Sequence, residues 1–290
     1  MSPVSRGRKG KKNKKQQEPA AKQPVELGEL GEPEDLGLGE MMAEVVARIA
    51  EFEHVDDPVD GEYLAAGLLA VGYGESADYG EVFARLFIDE ARKLSEPGAL
   101  AFLRCIAVLT PEPVRSLARE AAQELVSAGV DAPAWVSELE KPLTAGEFVR
   151  WSDADGAGHT LFGSFDRAGR SDGFLVFVDD ENCGAAYDLA PFVGEGLTEA
   201  RQLTDEQEPA DAEPMTAEDF RWQVQAALDA RMVHDRGARE LGIEWDEPED
   251  EDSIPHEVVD VVVRARLEAL PLSVKMLPVH VHPEFELDLQ

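Results

Sequence analysis

Four short runs decide the fold: EFVRW (147–151), HTLFGSF (159–165), FLVFVD (174–179) and AAYDL (185–189). They carry the aromatic and β-branched residues that suit a pleated, half-buried surface, and all are of strand length. Between them lie Asp153-Ala154-Asp155-Gly156, Arg167-Ala168-Gly169 and Glu181-Asn182-Cys183-Gly184, with the Gly, Asp and Asn chemistry of tight turns. Four strands joined by such turns predict an antiparallel meander. Phe174-Leu175-Val176-Phe177-Val178 is apolar on both faces, so it belongs inside a sheet that is covered on both sides.

Upstream of Lys141-Pro142 the period is helical. Met41, Val45, Ile49 and Phe52 recur at helix spacing, as do Phe83, Leu86, Phe87 and Leu94, and then Val114, Leu117, Ala118, Ala121 and Leu125. Tyr63 to Val71 and Ala99 to Leu109 are apolar on more than one face, as central helices are. Breaks fall at Asp56-Asp57-Pro58, Gly72-Tyr73-Gly74, Glu96-Pro97-Gly98 and Thr110-Pro111, where Thr110 is expected to cap a helix with Pro111 in its first position. Downstream, Glu195 to Pro214 reads as an acidic connector. Thr216 then caps a helix with the stripe Phe220, Val224, Ala227 and Leu228, and Pro255 to Leu270 forms another with Val259, Val263, Leu267 and Leu270 on one face. Leu272 to Gln290 alternates like a strand, but Pro278 and Pro283 confine it to an edge or an irregular tail.

The expected organisation is therefore α+β. A basic leader and linker over 1–37, too poor in apolar residues to offset ordering entropy, precedes a mainly helical N-terminal domain over 38–140. A small antiparallel meander over 141–194, an acidic linker over 195–214 and C-terminal helices over 215–290, packed on the sheet with a terminal strand or tail, complete the chain.

Charge is the strongest compositional signal. The 60 Asp and Glu stand against 27 Lys and Arg, for a net −33. Residues 1–25 hold eight basic residues and one acid, Glu18, a balance of +7 that leaves −40 on the remainder. Such a body repels nucleic acid and anionic membranes, whereas the leader attracts both. Within the leader, Pro3-Val4-Ser5-Arg6-Gly7-Arg8-Lys9 and the lysines after it resemble the leaders of uncharacterised actinobacterial-type proteins; the resemblance covers residues 1–15 and implies no activity. Cys105 and Cys183 lack CxxC partners, which excludes a zinc ribbon and a thioredoxin motif and fits a reduced cytoplasm. No run reaches the roughly 18 apolar residues of a membrane span, so a cytoplasmic protein is expected.

Several residues carry candidate chemistry, each beside a plainer reading. Arg6, Arg8, Lys9, Lys11, Lys12, Lys14 and Lys15 can tether RNA or DNA through its phosphates, nonspecifically because no interleaved aromatics stack on bases; the plainer and favoured reading is a solvated tail resting on the protein's own acidic surface. Asp153 to Gly156 begins like a calcium loop, yet positions 5 and 12 are Ala157 and Ser164, which leaves a hard cation under-coordinated. His280 and His282 share one face of an extended chain and form half of a metal site. Cys183 with His159 has the residue types of a nucleophile and base, which need hydrogen-bond reach, while Cys105 reads as core. Asp179-Asp180-Glu181 and Glu247 to Asp252 read as solvated loops. Trp222 and Trp245, set among charges, are candidate protein-interface anchors. No dinucleotide, Walker, zincin, serine-hydrolase or kinase signature is present. The favoured expectation is a noncatalytic protein-binding or adaptor protein with an unidentified protein partner and no cofactor. The alternatives are an RNA- or ribosome-associated accessory protein tethered by its leader, and an enzyme without a familiar motif.

Overall fold

The computed structural model describes residues 38–73, 77–153, 155–181, 183–207, 212–242 and 254–280, and all of these but Leu38 and Gly39 belong to one unit, Glu40–Gln290. Its helical half follows local signals. α1 (Leu38–Glu51) buries Val45 and Ile49 and passes through a 3-10 turn at Phe52–His54. α2 (Pro58–Leu69) starts where the Asp57 carboxylate accepts the Val59 N–H at 2.8 Å, with Pro58 in the first helical position. α3 (Ala77–Lys93), α4 (Pro97–Leu109), α5 (Val114–Ser127) and the short α6 (Val136–Leu139) follow. α4 lies at the centre, touching α2, α3, α5 and α6, and its Leu100, Phe102, Cys105 and Ile106 are buried.

One cap differs from expectation. Thr110 ends α4, its hydroxyl donating to the Ile106 carbonyl at 2.7 Å, and α5 begins only at Val114. A residue before proline is driven from the helical region, so Pro111 and Pro113 together postpone the helix until both are passed.

The sheet holds β1 (Thr144–Ser152), β2 (Gly158–Arg167), β3 (Arg170–Asp179) and β4 (Ala185–Val193) as an antiparallel meander. A fifth strand, β5 (Glu213–Pro214), joins beyond β1, for the order β4-β3-β2-β1-β5. Register places Leu161 opposite Val176 and Phe162 opposite Leu175. Since alternate side chains face opposite ways, Leu161, Phe165, Phe174 and Val176 pack on one face against Phe220, Val224 and Leu228 of α8 (Ala217–Leu241) and Val259, Val263 and Leu267 of α9 (His256–Glu268). α8 lies so close that a Cβ at Gly163 would stand 2.3 Å from Phe220 Cζ. Glycine is needed there.

The other face carries the main correction. Val149, Trp151, Phe162 and Leu175 pack against Leu197 and Ala200 of α7 (Glu195–Gln207), a helix in the stretch expected to be only a connector. α7 has little apolar surface, which hid it. Polar contacts hold it as well: the Arg201 guanidinium sits 4.8 Å from the Trp151 ring centroid, and Trp151 Nε1 donates to Asp205 at 3.0 Å. At the open edge, the β3–β4 register shifts so that Tyr187 is an extra residue, and Arg231 donates to the Ala186 and Tyr187 carbonyls at 3.3 and 3.0 Å. The terminal stretch is the irregular tail of the two forms expected, as far as His280.

Sheet and helical half meet on α9. Val259 and Val263 belong to the sheet core, while Val262 joins the helical core with Val258, Val261 and Ala265 packed beside it. Arg266 completes the junction. It donates to Glu62 on α2 at 2.6 and 2.9 Å and to Asp172 on β3 at 2.8 Å, while Arg167 on β2 also donates to Glu62 at 2.9 Å. All four side chains are buried. Burial raises the Glu62 carboxyl, but Arg266 and Arg167 outweigh it and hold its pKa below the ordinary value; burial raises that of Asp172, against the pull of Arg266. Two cations and two anions cancel, so no net charge is stranded. Arg266→Met leaves two buried carboxylates short of a partner and is expected to lower the unfolding free energy by about 3–5 kcal/mol in urea titrations. A loss below about 1 kcal/mol, the range of a surface pair, would contradict this account.

Candidate protein-binding surface

Of the residues singled out in the sequence, Asp153, His159, Asp179 and Asp180 gather at one end of the sheet, around the β1–β2 turn and the end of β3. His159 lies at the start of β2, where its Nδ1 is 2.8 Å from Asp180 Oδ2. Burial lowers its pKa, with the Asp180 hydrogen bond opposing. Cys183 is exposed in the β3–β4 turn with φ +62°. Asp153 and Asp155 shape a hairpin turn: Gly156 N–H donates to the Asp153 carbonyl at 3.1 Å and Ala157 N–H to the Asp155 carboxylate at 3.2 Å. Asp179 likewise accepts the Glu181 N–H at 3.0 Å. Burial pushes the Cys105 thiol up, and Glu62 adds to the effect. Among the described residues no group of three His, Cys, Asp or Glu side chains is placed to hold a metal ion. The basic leader, Trp245, the acidic loop 247–252 and His282 lie outside the described residues.

A second, part-buried charge cluster, missed in the sequence, lies where α8 and α9 meet the end of α2. Arg264 donates to Asp260 at 2.8 Å and to Asp229 at 2.7 Å; Arg231 and the Tyr73 hydroxyl donate to Asp235 at 2.6 and 3.3 Å. The His256 ring stands edge-on to Tyr73 with centroids 6.2 Å apart, and its Nε2 is buried without a hydrogen-bond partner. Burial, aided by Arg231 and Arg264, pushes its pKa down to about 4. The carboxylates are engaged by guanidinium groups or a phenol, so the cluster fastens helices. The available signal was a line of polar residues, His256, Asp260 and Arg264, at four-residue spacing in a valine-rich helix.

Two of the expected site residues, Trp222 and His280, do fall on one feature. Trp222 on α8 donates through Nε1 to the Met276 carbonyl at 3.0 Å, and Lys275 Nζ lies 5.2 Å from its ring centroid. Lys275 also reaches Asp219 in the first turn of α8 at 2.5 Å, and this bond holds the Asp219 carboxyl below its usual range. Arg221 grips the Leu270 carbonyl at 2.5 Å. Three helix-borne contacts, from positions 219, 221 and 222, thus tie down the chain that leaves α9. The chain bends at Val274–Lys275, where Lys275 N–H donates to Ser273 Oγ at 3.1 Å.

This tether turns apolar side chains outward. Leu272, Val274, Met276 and Val279 are 75, 102, 90 and 90% exposed. Single exposed apolar residues are ordinary; four within eight positions, on a backbone fixed by a Trp, an Arg and an ion pair, form a surface that burial against a partner would stabilise. His280 ends this segment half-buried. Comparison with protein-family models, with curated proteins and with solved structures found no match to this chain.

The pH response of the α8–α9 cluster has a definite sign. The folded state keeps His256 neutral down to about pH 4, while the unfolded chain protonates it near 6.5. Its stabilising effect is therefore complete above the higher value and is lost as pH falls toward the lower one. Between about pH 7 and about pH 5 the native chain is expected to lose roughly 1–2 kcal/mol that His256→Gln keeps. Parallel urea midpoints for the two proteins against pH check this; identical slopes would refute it.

Proposed function

We propose that this chain is a noncatalytic protein-binding protein whose contact surface is the segment Leu272–Val279 laid on α8. The observation that carries this reading is the exposure of Leu272, Val274, Met276 and Val279 on a backbone that Trp222 and Asp219 hold in place. Ordering before binding reduces the entropy lost on association. The charge clusters favour a binding role as well, because their carboxylates are committed to guanidinium partners that fasten α2, α8, α9 and the sheet. The partner is a protein, engaged by apolar side chains.

Leu272→Ser, Val274→Ser and Met276→Ser combined alter only exposed side chains and should leave the fold intact. Immobilised native chain, the triple variant and a chain lacking residues 1–22 are each incubated with cell lysate and the retained proteins compared. The native chain and the shortened chain are expected to retain the same specific proteins, and the triple variant to lose them. Retention of the same set by the triple variant overturns the reading.

A further inference from the structure

We infer that the partner of the C-terminal strip is a basic protein segment that presents apolar side chains flanked by Lys or Arg. This rests on the strip being a protein-binding surface, and goes further by fixing the chemistry of what it binds. From Ala269 to Pro283 the sequence has no Asp or Glu, in a chain that holds 60 of them. The only acid-free run of the same length behind the leader is 97–111, most of it the buried helix α4. Its described part, Ala269–His280, is thus an acid-free opening in the surface of an acidic chain. Lys275, the one cation in it, is already matched by Asp219. One exposed acid borders it, Glu218 beside Asp219 on α8, while Glu268 just before the strip begins is paired with Arg115.

This layout separates the possible occupants. A second copy brings another net −33, so its approach meets long-range repulsion that only high salt relieves. The chain's own segment 1–37 carries its cations at positions 6–22 but its apolar residues Val25, Leu27, Leu30 and Leu36 beyond them, among Glu26, Glu29, Glu32, Glu34 and Asp35, so it presents no apolar anchors between basic flanks. A partner with both apolar anchors and basic flanks satisfies the strip and its border together, and the net charge of the body speeds the encounter. The bend at Val274 also fixes the kind of contact: it presents side chains, not a straight strand edge.

Three synthetic peptides of equal length test this against the full-length protein: an amphipathic Leu/Lys peptide, its Leu/Glu counterpart, and a Lys/Ser peptide with the same charge but no apolar face. The Leu/Lys peptide is expected to bind, to weaken several-fold between about 50 and 200 mM salt, and to lose at least about tenfold in affinity on the triple Ser variant. The Leu/Glu peptide should not bind, and the weak binding of Lys/Ser should be the same on both proteins. Equal affinity of Leu/Lys for native and variant chains, or binding of Leu/Glu, overturns the inference. So does self-association of the native chain that grows with salt and vanishes in the triple variant, which makes a second copy the occupant. These failures are separable from failure of the broader reading. If lysate proteins still depend on the strip while the peptides do not, only the charge assignment falls; if neither depends on it, both fall.

Discussion

Arg266 is the point on which the architecture turns. One guanidinium reaches a helix of the N-terminal half through Glu62 and the β2–β3 hairpin end of the sheet through Asp172, while its own helix belongs to the C-terminal third of the chain. Arg167 adds a second cation from β2. A buried pair of this kind gains little net energy over apolar packing, because both charges are removed from water. Its effect is on geometry. Apolar helices on an apolar sheet can slide; a fork of hydrogen bonds to two carboxylates on different elements cannot. The register of α9 between the two cores follows from it.

α9 is accordingly a shared wall. One side of it completes the sheet core and the other the helical core, so its sequence, VVDVVVRARL, is apolar nearly all round with charges set into it. The second polar cluster works in the same way one turn nearer the N-terminus of the helix, linking α9 to α8 through Arg264 and bringing Tyr73 to Asp235 on α8. An acidic protein with few lysines in its folded part uses arginine for these internal joints. That suits the planar, multidentate geometry each site requires.

Elements with a local cause were legible in the sequence. The strands, the turns between them, the break at Asp57-Pro58, Thr216 as a cap, and the stripe Val259, Val263 and Leu267 all declare themselves within a few residues. The two-sided apolarity of Phe174 to Val178 called for a cover on each face, and both covers exist. The second was misread because α7 contributes only Leu197 and Ala200 to the core and is held through Arg201 and Asp205, so its composition resembles that of a loop. β5 is too short to show any period. The Glu62–Arg266 cluster was invisible because its members come from distant positions, and of the Arg264 cluster only the His256, Asp260 and Arg264 spacing on α9 was local, its partners on α8 being supplied by the folded chain. Trp222, expected as an interface anchor, bonds to the chain's own Met276 carbonyl; the apolar side chains of that segment lie fifty residues further on.

The outer edge of the sheet has a consequence for how this molecule behaves among its neighbours. At Tyr187 the edge strand is kinked by one extra residue, and Arg231 occupies two of the carbonyls a newcomer would use. At the opposite edge β5 ends in Pro214, which has no N–H to offer. Neither border gives a long, regular ladder on which another chain could template itself. Crowded together, copies of this protein can collide often without knitting into fibrils.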